Sequence, residues 1–395
     1  MSAHATAAAH AHAEDHVPTM WERLPWMAAA LGFLGCLAGY VFEGPKNFAH
    51  AYLVAFMFFL SLGLGAFFLV VIHHLFDAYW SVPTRRFLEH LACLLPWMAL
   101  FFLPIGLLSG DLYYWMNVDP AKDHSLAVKQ VLFNKATWGV ASAALFGIWW
   151  LWTHRLRGWS LRQDETGAAE CTTAMRRWAA SGIFVFAFSL TAAAIFWMKS
   201  LEHQFFSTMY GVYYFAGSVW MTLATAYAIA LLLRRSGRVP MMGQEQFHSL
   251  AKLLFAFTVF YAYIHFSQYF LIWNAAMPEE TFWYAKREQG TWAIVGWVII
   301  LGHFVLPFLV LLRIDAKLST KVVIPIFVWV WLMHHLDLQF NIMPLVQPEG
   351  PAFLISTLGA LLFIGGLLAA LFLWDLRRHP AFPLKDPRMG EVVRH

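Results

Sequence analysis

The chain has 395 residues, of which 60% are hydrophobic, 17% aromatic and 13% charged, with a formal net charge of +4. Soluble domains carry about 25% charged residues, so this chain has too few polar residues to cover a soluble core of its size. Its basic residues stand at the ends of apolar segments rather than in one patch, which gives no case for a nucleic-acid partner.

The apolar residues form blocks of about 20 or more, the length of a helix that crosses a hydrocarbon core of about 30 Å. Within lipid, a helix satisfies all of its own backbone hydrogen bonds. The sequence therefore predicts an all-α integral membrane protein that crosses the bilayer about ten times, surrounded by membrane lipid. The predicted spans are 24–42, 49–76, 87–110, 134–153, 177–200, 207–233, 250–276, 290–312, 320–343 and 351–375. Pro96, Pro104, Pro307 and Pro325 lie within spans and are predicted to kink them.

The segment before the first span carries four histidines, His4, His10, His12 and His16. It has no basic stretch of the kind that opens a secretory signal. We predict a flexible His-rich tail over 1–23, with weak metal binding as the alternative.

The distribution of charge predicts the orientation. Most of the 27 Lys and Arg fall in segments that share one side with the N-terminus, and basic residues are enriched on the cytoplasmic side of membrane proteins. An even number of spans then places both termini in the cytoplasm, with a cytoplasmic tail over 376–395.

Similar sequences recur in order along the chain. Ser109–Trp115 resembles Ser267–Trp273, and Met198–Phe205 resembles Met333–Phe340. Ordered matches of this kind indicate an internal repeat. We predict two four-helix bundles, over 49–200 and 207–343, flanked by one helix at 24–42 and one at 351–375.

Ionisable residues at membrane depth are costly and are candidates for function. Asp337 is predicted to lie about 24 Å along its span from Lys321, in the outer third of the bilayer, and His334 shares its helical face. The repeat aligns Asp337 with Glu202, which is followed by His203. We predict proton transfer by these four residues. The alternative for both carboxylates is an interfacial position hydrated among lipid headgroups.

A second polar group is predicted at the opposite ends of the spans. His73, His74 and Asp77 end the second span, and Glu89 and His90 open the third. The short connection brings them together, so we predict the inlet of a proton half-channel that continues towards Asp111, Glu202 or Asp337. The alternative is that these residues only cap helix ends at the interface.

The residues around His265 have the chemistry of a quinone site. A quinone head group needs hydrogen-bond partners for two carbonyl groups and a flat apolar wall. We predict His265, Gln268, Tyr269 and His334 as quinone-binding residues. The alternative for His265 is a structural role, in which it forms a hydrogen bond to a neighbouring helix. His303, near the middle of its span, is a further buried histidine, and for it this structural role is favoured.

No catalytic residue, metal site or tightly bound cofactor is predicted, and quinone or quinol is the only ligand that the residues suggest. The three cysteines are scattered and form no CxxC or CxxCH motif, so neither a cysteine-held cluster nor an attached c-type haem is encoded.

Several stretches carry a resemblance to a known family. They are Phe266–Trp273, Met277–Thr281, His303–Leu312 and Tyr79–Val82, with Arg85, Arg86 and Glu89 beyond the last. Together they resemble the ActF-type membrane subunits of alternative complex III, a bacterial quinol:cytochrome c oxidoreductase, within the NrfD/PsrC-like superfamily. The resemblance covers nearly the whole chain except its tails. It implies ten helices in two four-helix bundles and no prosthetic group in this subunit.

The resemblance also implies a location, partners and a function. The location would be the bacterial cytoplasmic (inner) membrane. The partners would be a sister NrfD-like membrane subunit, the iron–sulfur and c-haem subunits of the same complex, and a terminal oxidase. The expected function is that of a cofactor-free, multi-pass subunit that supports quinol oxidation and translocates protons through polar half-channels.

Two alternative functions stay open. The first is an NrfD/PsrC-type anchor that itself binds and oxidises quinol, which would make the subunit part of the catalytic site. The second is a secondary transporter, which would need discontinuous helices around a substrate site.

Overall fold

The structure is a computed structural model that describes residues 19–392 of the chain. Among these residues every regular element is a helix and no strand occurs, which confirms the predicted all-α class. The four histidines of the predicted N-terminal tail lie outside the described residues.

Ten long helices follow one another along the described chain, and we number them α1 to α10. Their bounds are Thr19–Glu43 (α1), Pro45–Phe76 (α2), Tyr79–Leu107 (α3), Lys135–Thr166 (α4), Ala169–Glu202 (α5), Tyr210–Arg235 (α6), Gln244–Ala275 (α7), Gly290–Leu312 (α8), Thr320–Leu345 (α9) and Ile355–Arg378 (α10). Nine of these described helices, all except α4, are long and apolar enough to cross a membrane. The chain is therefore a multi-pass α-helical membrane protein.

The helix α4 contains the predicted span 134–153 but is less apolar than the other nine. It carries five tryptophans, whose indole N–H groups are polar, and its second half carries three arginines. Trp138 donates to the carbonyl of Phe196 at 3.1 Å, and Trp149 donates to the Ser189 hydroxyl at 2.9 Å. These bonds join α4 to α5, and a tenth crossing at α4 stays a prediction.

The helix α2 lies at the centre of the molecule. It begins after Gly44, which has a φ of 84°, with Pro45 in the first turn, and it ends at Asp77 in the left-handed conformation. Proline suits the first turn of a helix because a backbone N–H at that position would have no hydrogen-bond partner within the helix. All residues over 48–67 are buried, because α3, α5, α6, α9 and α10 pack around the helix. A helix that is apolar on every side fits such a position.

The helices α2 and α6 approach each other closely. A Cβ atom at Gly65 would lie 2.2 Å from the Thr222 hydroxyl oxygen and 2.6 Å from the Ser218 carbonyl oxygen. Only glycine therefore fits here, and small residues commonly permit such contacts between membrane helices. The two helices open the two predicted four-helix bundles, whose bounds stay predictions.

The helix α3 is interrupted more strongly than predicted. Its α-helix ends at Ala92, and short 3₁₀ and α-helical turns continue to Leu107. Pro96 and Pro104 lie in this part, and each proline removes a backbone hydrogen bond of a helix. By contrast, α9 continues through Pro325 without a break.

The helices α1 and α10 form an antiparallel pair. Glu22 pairs with Arg377 at 3.0 Å at one end. At the other end the Glu43 carboxylate accepts a hydrogen bond from the backbone N–H of Ser356 at 3.3 Å and so caps α10. We call the end with Glu22 the inner end and the opposite end the outer end. Both ends of the described chain lie at the inner end, and its assignment to the cytoplasm stays a prediction.

Residues 380–392, within the predicted C-terminal tail, pack against the inner ends of α2 and α3, and we call them the C-terminal segment. Arg85 donates to Asp386 at 2.5 Å, and Arg388 donates to Asp77 at 2.9 Å. Met389 and Val392 pack on Val82. The described part of the tail is therefore a docked element.

Candidate functional site

Asp337 is the centre of a buried polar cluster near the outer end of α9. Its exposed fraction is 2%, so it is enclosed by protein and not hydrated among lipid headgroups. The Tyr261 hydroxyl of α7 donates to its carboxylate at 2.8 Å, and the Tyr213 hydroxyl of α6 donates to the same oxygen. Three helices therefore converge on one carboxyl group.

Asn341 completes this cluster, one helical turn after Asp337. Its amide donates to the Asp337 carbonyl at 2.8 Å and to the Tyr213 hydroxyl at 3.1 Å. Tyr210 donates to its amide oxygen at 3.1 Å. We call Asp337, Tyr210, Tyr213, Tyr261 and Asn341 the carboxylate cluster. Within the described chain no Lys or Arg pairs with Asp337, so hydroxyl and amide groups alone hold it.

His334 shares the helical face of Asp337 but forms no hydrogen bond with it. Its Nε2 lies 2.9 Å from the Ser61 hydroxyl of α2, and its Nδ1 is buried without a hydrogen-bond partner among the described residues. A Cβ atom at Gly217 would lie 3.0 Å from that Nδ1. The imidazole can therefore occupy this position only because residue 217 is a glycine.

His303 is held by ring stacking rather than by the hydrogen bond predicted as the favoured alternative. Its imidazole lies between the rings of Trp220 and Tyr261, with centroid distances of 3.7 and 3.5 Å. Both of its nitrogens are buried without a hydrogen-bond partner among the described residues. The surrounding segment Ile300–Val305 is π-helical, a distortion that is frequent at functional sites.

A cavity of about 730 Å³ lies between α7 and α8 and includes the edge of the carboxylate cluster. Tyr261 lines it, and the Tyr261 hydroxyl is 3.4 Å from Nδ1 of His265, which also lines it. Phe266 and Trp297 form part of its wall and are 62% and 65% exposed on the apolar outer surface. The volume suits a small organic ligand. We call it the α7–α8 cavity.

The four predicted quinone-binding residues are divided among three places. His265 and Tyr269 line the α7–α8 cavity. Gln268 instead lines a second cavity, accepts a hydrogen bond from Ser207 at 2.8 Å and donates to Tyr284 at 3.2 Å. His334 lies in the interior, against α2. Sequence reasoning missed three further polar lining residues of the α7–α8 cavity, which are Tyr284, Arg287 and Glu288.

Glu202, the predicted counterpart of Asp337, has a different environment. Arg287 donates to its carboxylate at 2.9 Å and Lys286 at 3.1 Å. Arg287 also donates to the backbone carbonyl groups of Phe340 and Asn341, at 2.9 and 2.8 Å. Glu202 is thus fixed in an ion pair, which opposes a role in proton transfer.

The other two outer candidates lie apart from Asp337. His203 is hydrogen-bonded to Asp123 at 2.7 Å. That bond is the main reason why the pKa of Asp123 is lowered to about 2. Asp111 is exposed, so it does not belong to the buried cluster.

The five inner candidates do come together, but arginines pair with both of their carboxylates. Glu89 lies 3.0 Å from Arg86, and Asp77 pairs with Arg388 at 2.9 Å. Their three histidines lie among these ion pairs: His73 is hydrogen-bonded to Ser81 at 2.6 Å and packs edge-on against His74, while His90 accepts from Arg157 at 2.8 Å. Ser61, which contacts His334, lies twelve positions before His73 on α2, about 18 Å away along the helix. The inner candidates are therefore distant from His334.

The candidate site is therefore the carboxylate cluster together with the α7–α8 cavity. Tyr261 belongs to both.

Comparison of the chain with protein-family models and with curated proteins finds no match.

Proposed function

We propose that this chain is a membrane subunit of a respiratory quinol:cytochrome c oxidoreductase of the alternative complex III type, in which it transfers protons beside a bound quinone. The observation that carries the proposal is the position of Tyr261. Its hydroxyl donates to Asp337 at 2.8 Å and its side chain lines the α7–α8 cavity. A proton acceptor in the interior is therefore one hydroxyl group away from a ligand site.

The α7–α8 cavity has the features that a quinone head group requires. The His265 imidazole and the Tyr269 hydroxyl can donate to its carbonyl oxygens, and Phe304 and Phe340 supply aromatic walls. Phe266 and Trp297 line the cavity where it meets the apolar outer surface. A lipid-soluble ligand can therefore enter from the membrane without crossing a polar surface.

The carboxylate cluster supplies a route for the proton. Oxidation of a quinol to a quinone releases two protons and two electrons. In this proposal the electrons pass to the centres of partner subunits, and the two protons pass one after the other through the Tyr261 hydroxyl to Asp337. Asn341 and Tyr210 continue the hydrogen bonds towards the outer end. In the described part of the chain no Lys or Arg pairs with Asp337, whereas Glu202 pairs with Arg287.

The α7–α8 cavity also supports one of the alternative functions, that of an NrfD/PsrC-type anchor that oxidises quinol itself. The secondary transporter is less well supported. A transporter places its broken helices around the substrate, but no residue of the interrupted helix α3 lines either cavity described above.

Purification in a mild detergent tests the assignment to a respiratory complex. We expect iron–sulfur and c-haem subunits to co-purify with this chain, as identified by mass spectrometry and by haem absorbance. A stable chain that purifies alone would contradict both the proposed function and the alternative of a quinol-oxidising anchor.

Asp337→Asn tests the proton route within the assembled complex. The amide keeps an acceptor for the tyrosine hydroxyls but cannot take a proton. Because a positioned proton-transfer group contributes about 10²–10⁴-fold, we expect proton release coupled to quinol oxidation in proteoliposomes to slow about a hundredfold. Asp315→Asn, at an exposed carboxylate, is the matched control. Proton release at the wild-type rate in Asp337→Asn would refute the route.

A further inference from the structure

The second cavity lies at the outer end of α7, beside the segment that joins α5 to α6, and has a volume of about 500 Å³. Lys199, Ser207 and Thr208 line one part of it, and Glu279 and Glu280 line another. The proposed quinone and proton chemistry uses none of these residues. The cavity is therefore a separate candidate site.

Lys199 gives the cavity a positive charge on a largely buried side chain. Its exposed fraction is 9%, yet no hydrogen bond or ion pair joins its ammonium group to another described residue. Lys129 adds a second positive charge nearby, since both ammonium groups lie over the Phe206 ring, at 5.8 and 3.6 Å from the centroid. A charge that is largely shielded from water and has no partner is costly. An anionic group of a ligand would remove this cost.

Glu279 and Glu280 add negative charge elsewhere in the same cavity. Both stand in the first turn of the short helix Pro278–Arg287, where the helix dipole favours carboxylates. Neither forms an ion pair with Lys199. A purely anionic ligand would meet repulsion from these carboxylates, whereas a ligand that also carries an ammonium group would complement both sets of charges.

The open edge of the cavity is apolar. Leu271 and Met277 line it and are 57% and 48% exposed. They stand at the last turn of α7 and just beyond it, at the outer end of this apolar helix. A ligand here can thus place a charged head in the cavity and alkyl chains on the surface of α7.

We propose that this cavity binds the headgroup of a zwitterionic phospholipid that bears a primary amine. The phosphate contacts Lys199 and the Thr208 hydroxyl, and the ammonium group lies between Glu279 and Glu280. The acyl chains pack on Leu271 and Met277. The charge pattern distinguishes this lipid from an anionic lipid without an amine and from free phosphate.

Native mass spectrometry of the detergent-purified chain, with its partners where they co-purify, tests the proposal. The protein is exchanged into micelles that contain equal amounts of phosphatidylethanolamine, phosphatidylcholine and phosphatidylglycerol. We expect wild type to retain phosphatidylethanolamine in preference to the other two. Lys199→Gln should lower this retention at least tenfold, and Lys199→Arg should preserve it. Lys122→Gln, an exposed lysine at the same end, should leave it unchanged.

The double substitution Glu279→Gln with Glu280→Gln is an independent test that leaves the buried lysine in place. We expect it to shift the preference at least tenfold from phosphatidylethanolamine towards phosphatidylglycerol. Equal retention in Lys199→Gln and Lys122→Gln would overturn the proposal. So would a wild-type preference for phosphatidylglycerol or phosphatidylcholine, or displacement of the lipid by millimolar inorganic phosphate.

Discussion

Asp337 and Glu202 are both buried near the outer ends of their helices, and the repeated sequence predicts them as counterparts. Their partners differ. Two tyrosine hydroxyls donate to Asp337, whereas Arg287 and Lys286 pair with Glu202. Arg287 holds Glu202 in a buried ion pair, whereas no Lys or Arg pairs with Asp337 among the described residues. We therefore expect Asp337 to transfer protons and Glu202 to have a structural role.

Gly217→Ala tests how tightly the interior around His334 is packed. The new Cβ would lie 2.9 Å from Cε1 of the imidazole, so the ring must move and its 2.9 Å bond to Ser61 would be lost. Overpacking of this kind costs about 1–3 kcal/mol, which thermal unfolding in detergent would detect as a lowered midpoint.

Gly147→Ala is the control for this substitution. Gly147 also lies in a helix, α4, and a Cβ atom there meets nothing within 4 Å. Because alanine favours a helix over glycine by up to about 1 kcal/mol, Gly147→Ala should unfold at the same temperature as wild type or higher. Equal stability of the two variants would show that the space beside His334 is not limiting.

Part of the site could be predicted from single residues, and part could not. His265 and Tyr269 are four residues apart, so helical geometry alone places them on one face. Asn341 stands at the same spacing from Asp337 and could have been found in this way. Tyr213 and the stacking rings around His303 come from other helices. Their contacts depend on tertiary packing, which no local spacing determines.

The bounds of several elements were predictable because hydrocarbon thickness sets the length of an apolar segment. The predicted spans 49–76 and 207–233 agree with α2 and α6 within four residues at each end. The central position of α2 was not predictable. Lipid tails and protein interiors are similarly apolar, so the same sequence suits a helix that faces lipid and one that faces protein.

Arg287 joins the short helix Pro278–Arg287 to both α5 and α9. It binds the Glu202 carboxylate and the carbonyl groups of Phe340 and Asn341, near the outer end of α9. Arg287→Leu leaves Glu202 buried without its main partner, and loss of one member of a buried ion pair costs about 3–5 kcal/mol. We expect a corresponding fall in the free energy of unfolding, measured with denaturant in detergent.

Lys286→Gln is the matched control, because Lys286 binds the same carboxylate from a partly exposed position and such pairs contribute about 0–1 kcal/mol. Glu202→Gln combined with Arg287→Leu should recover much of the lost stability, since the only charge then left without its partner is that of Lys286, which is partly exposed. Equal effects of the Lys286 and Arg287 substitutions would contradict this account.

At the scale of the whole molecule, the C-terminal segment returns to the inner end and covers residues near the start of the chain. Asp386 holds it there. Burial raises the pKa of this carboxyl, but the hydrogen bond from Arg388 and the charges of Arg85 and Arg388 outweigh burial, so the pKa is lowered from its ordinary value of 3.8.

This lowered pKa predicts how docking depends on pH. Because the pKa of Asp386 is lower in the docked state than in the undocked state, ionisation stabilises docking fully above about pH 4. The stabilisation is lost as the pH falls through the lowered pKa. We expect hydrogen exchange in residues 380–392 to be slow at pH 7 and, after correction for intrinsic rates, to accelerate as the pH falls below 3.8.

Asp386→Asn should release the C-terminal segment already at pH 7, because Arg85 and Arg388 then lose their shared carboxylate. Asp315→Asn, remote from this segment in sequence, should leave the exchange unchanged. Protection of residues 380–392 that is equal in both variants would show that apolar contacts such as Met389 on Val82 hold the segment without Asp386.

The burial of α2 on every side over residues 48–67 has a consequence for biogenesis. About 130 residues separate its end from the start of α6, and ribosomes add about 5–20 residues per second. The newly inserted α2 therefore waits roughly 7–26 s in the bilayer before α6 is synthesised. Its apolar surface on every side serves two environments in succession, first lipid and then protein. A nascent chain stalled before Tyr210 would leave Ser61 and Gly65 facing lipid. We expect the proteases of membrane quality control to act on α2 in this exposed state.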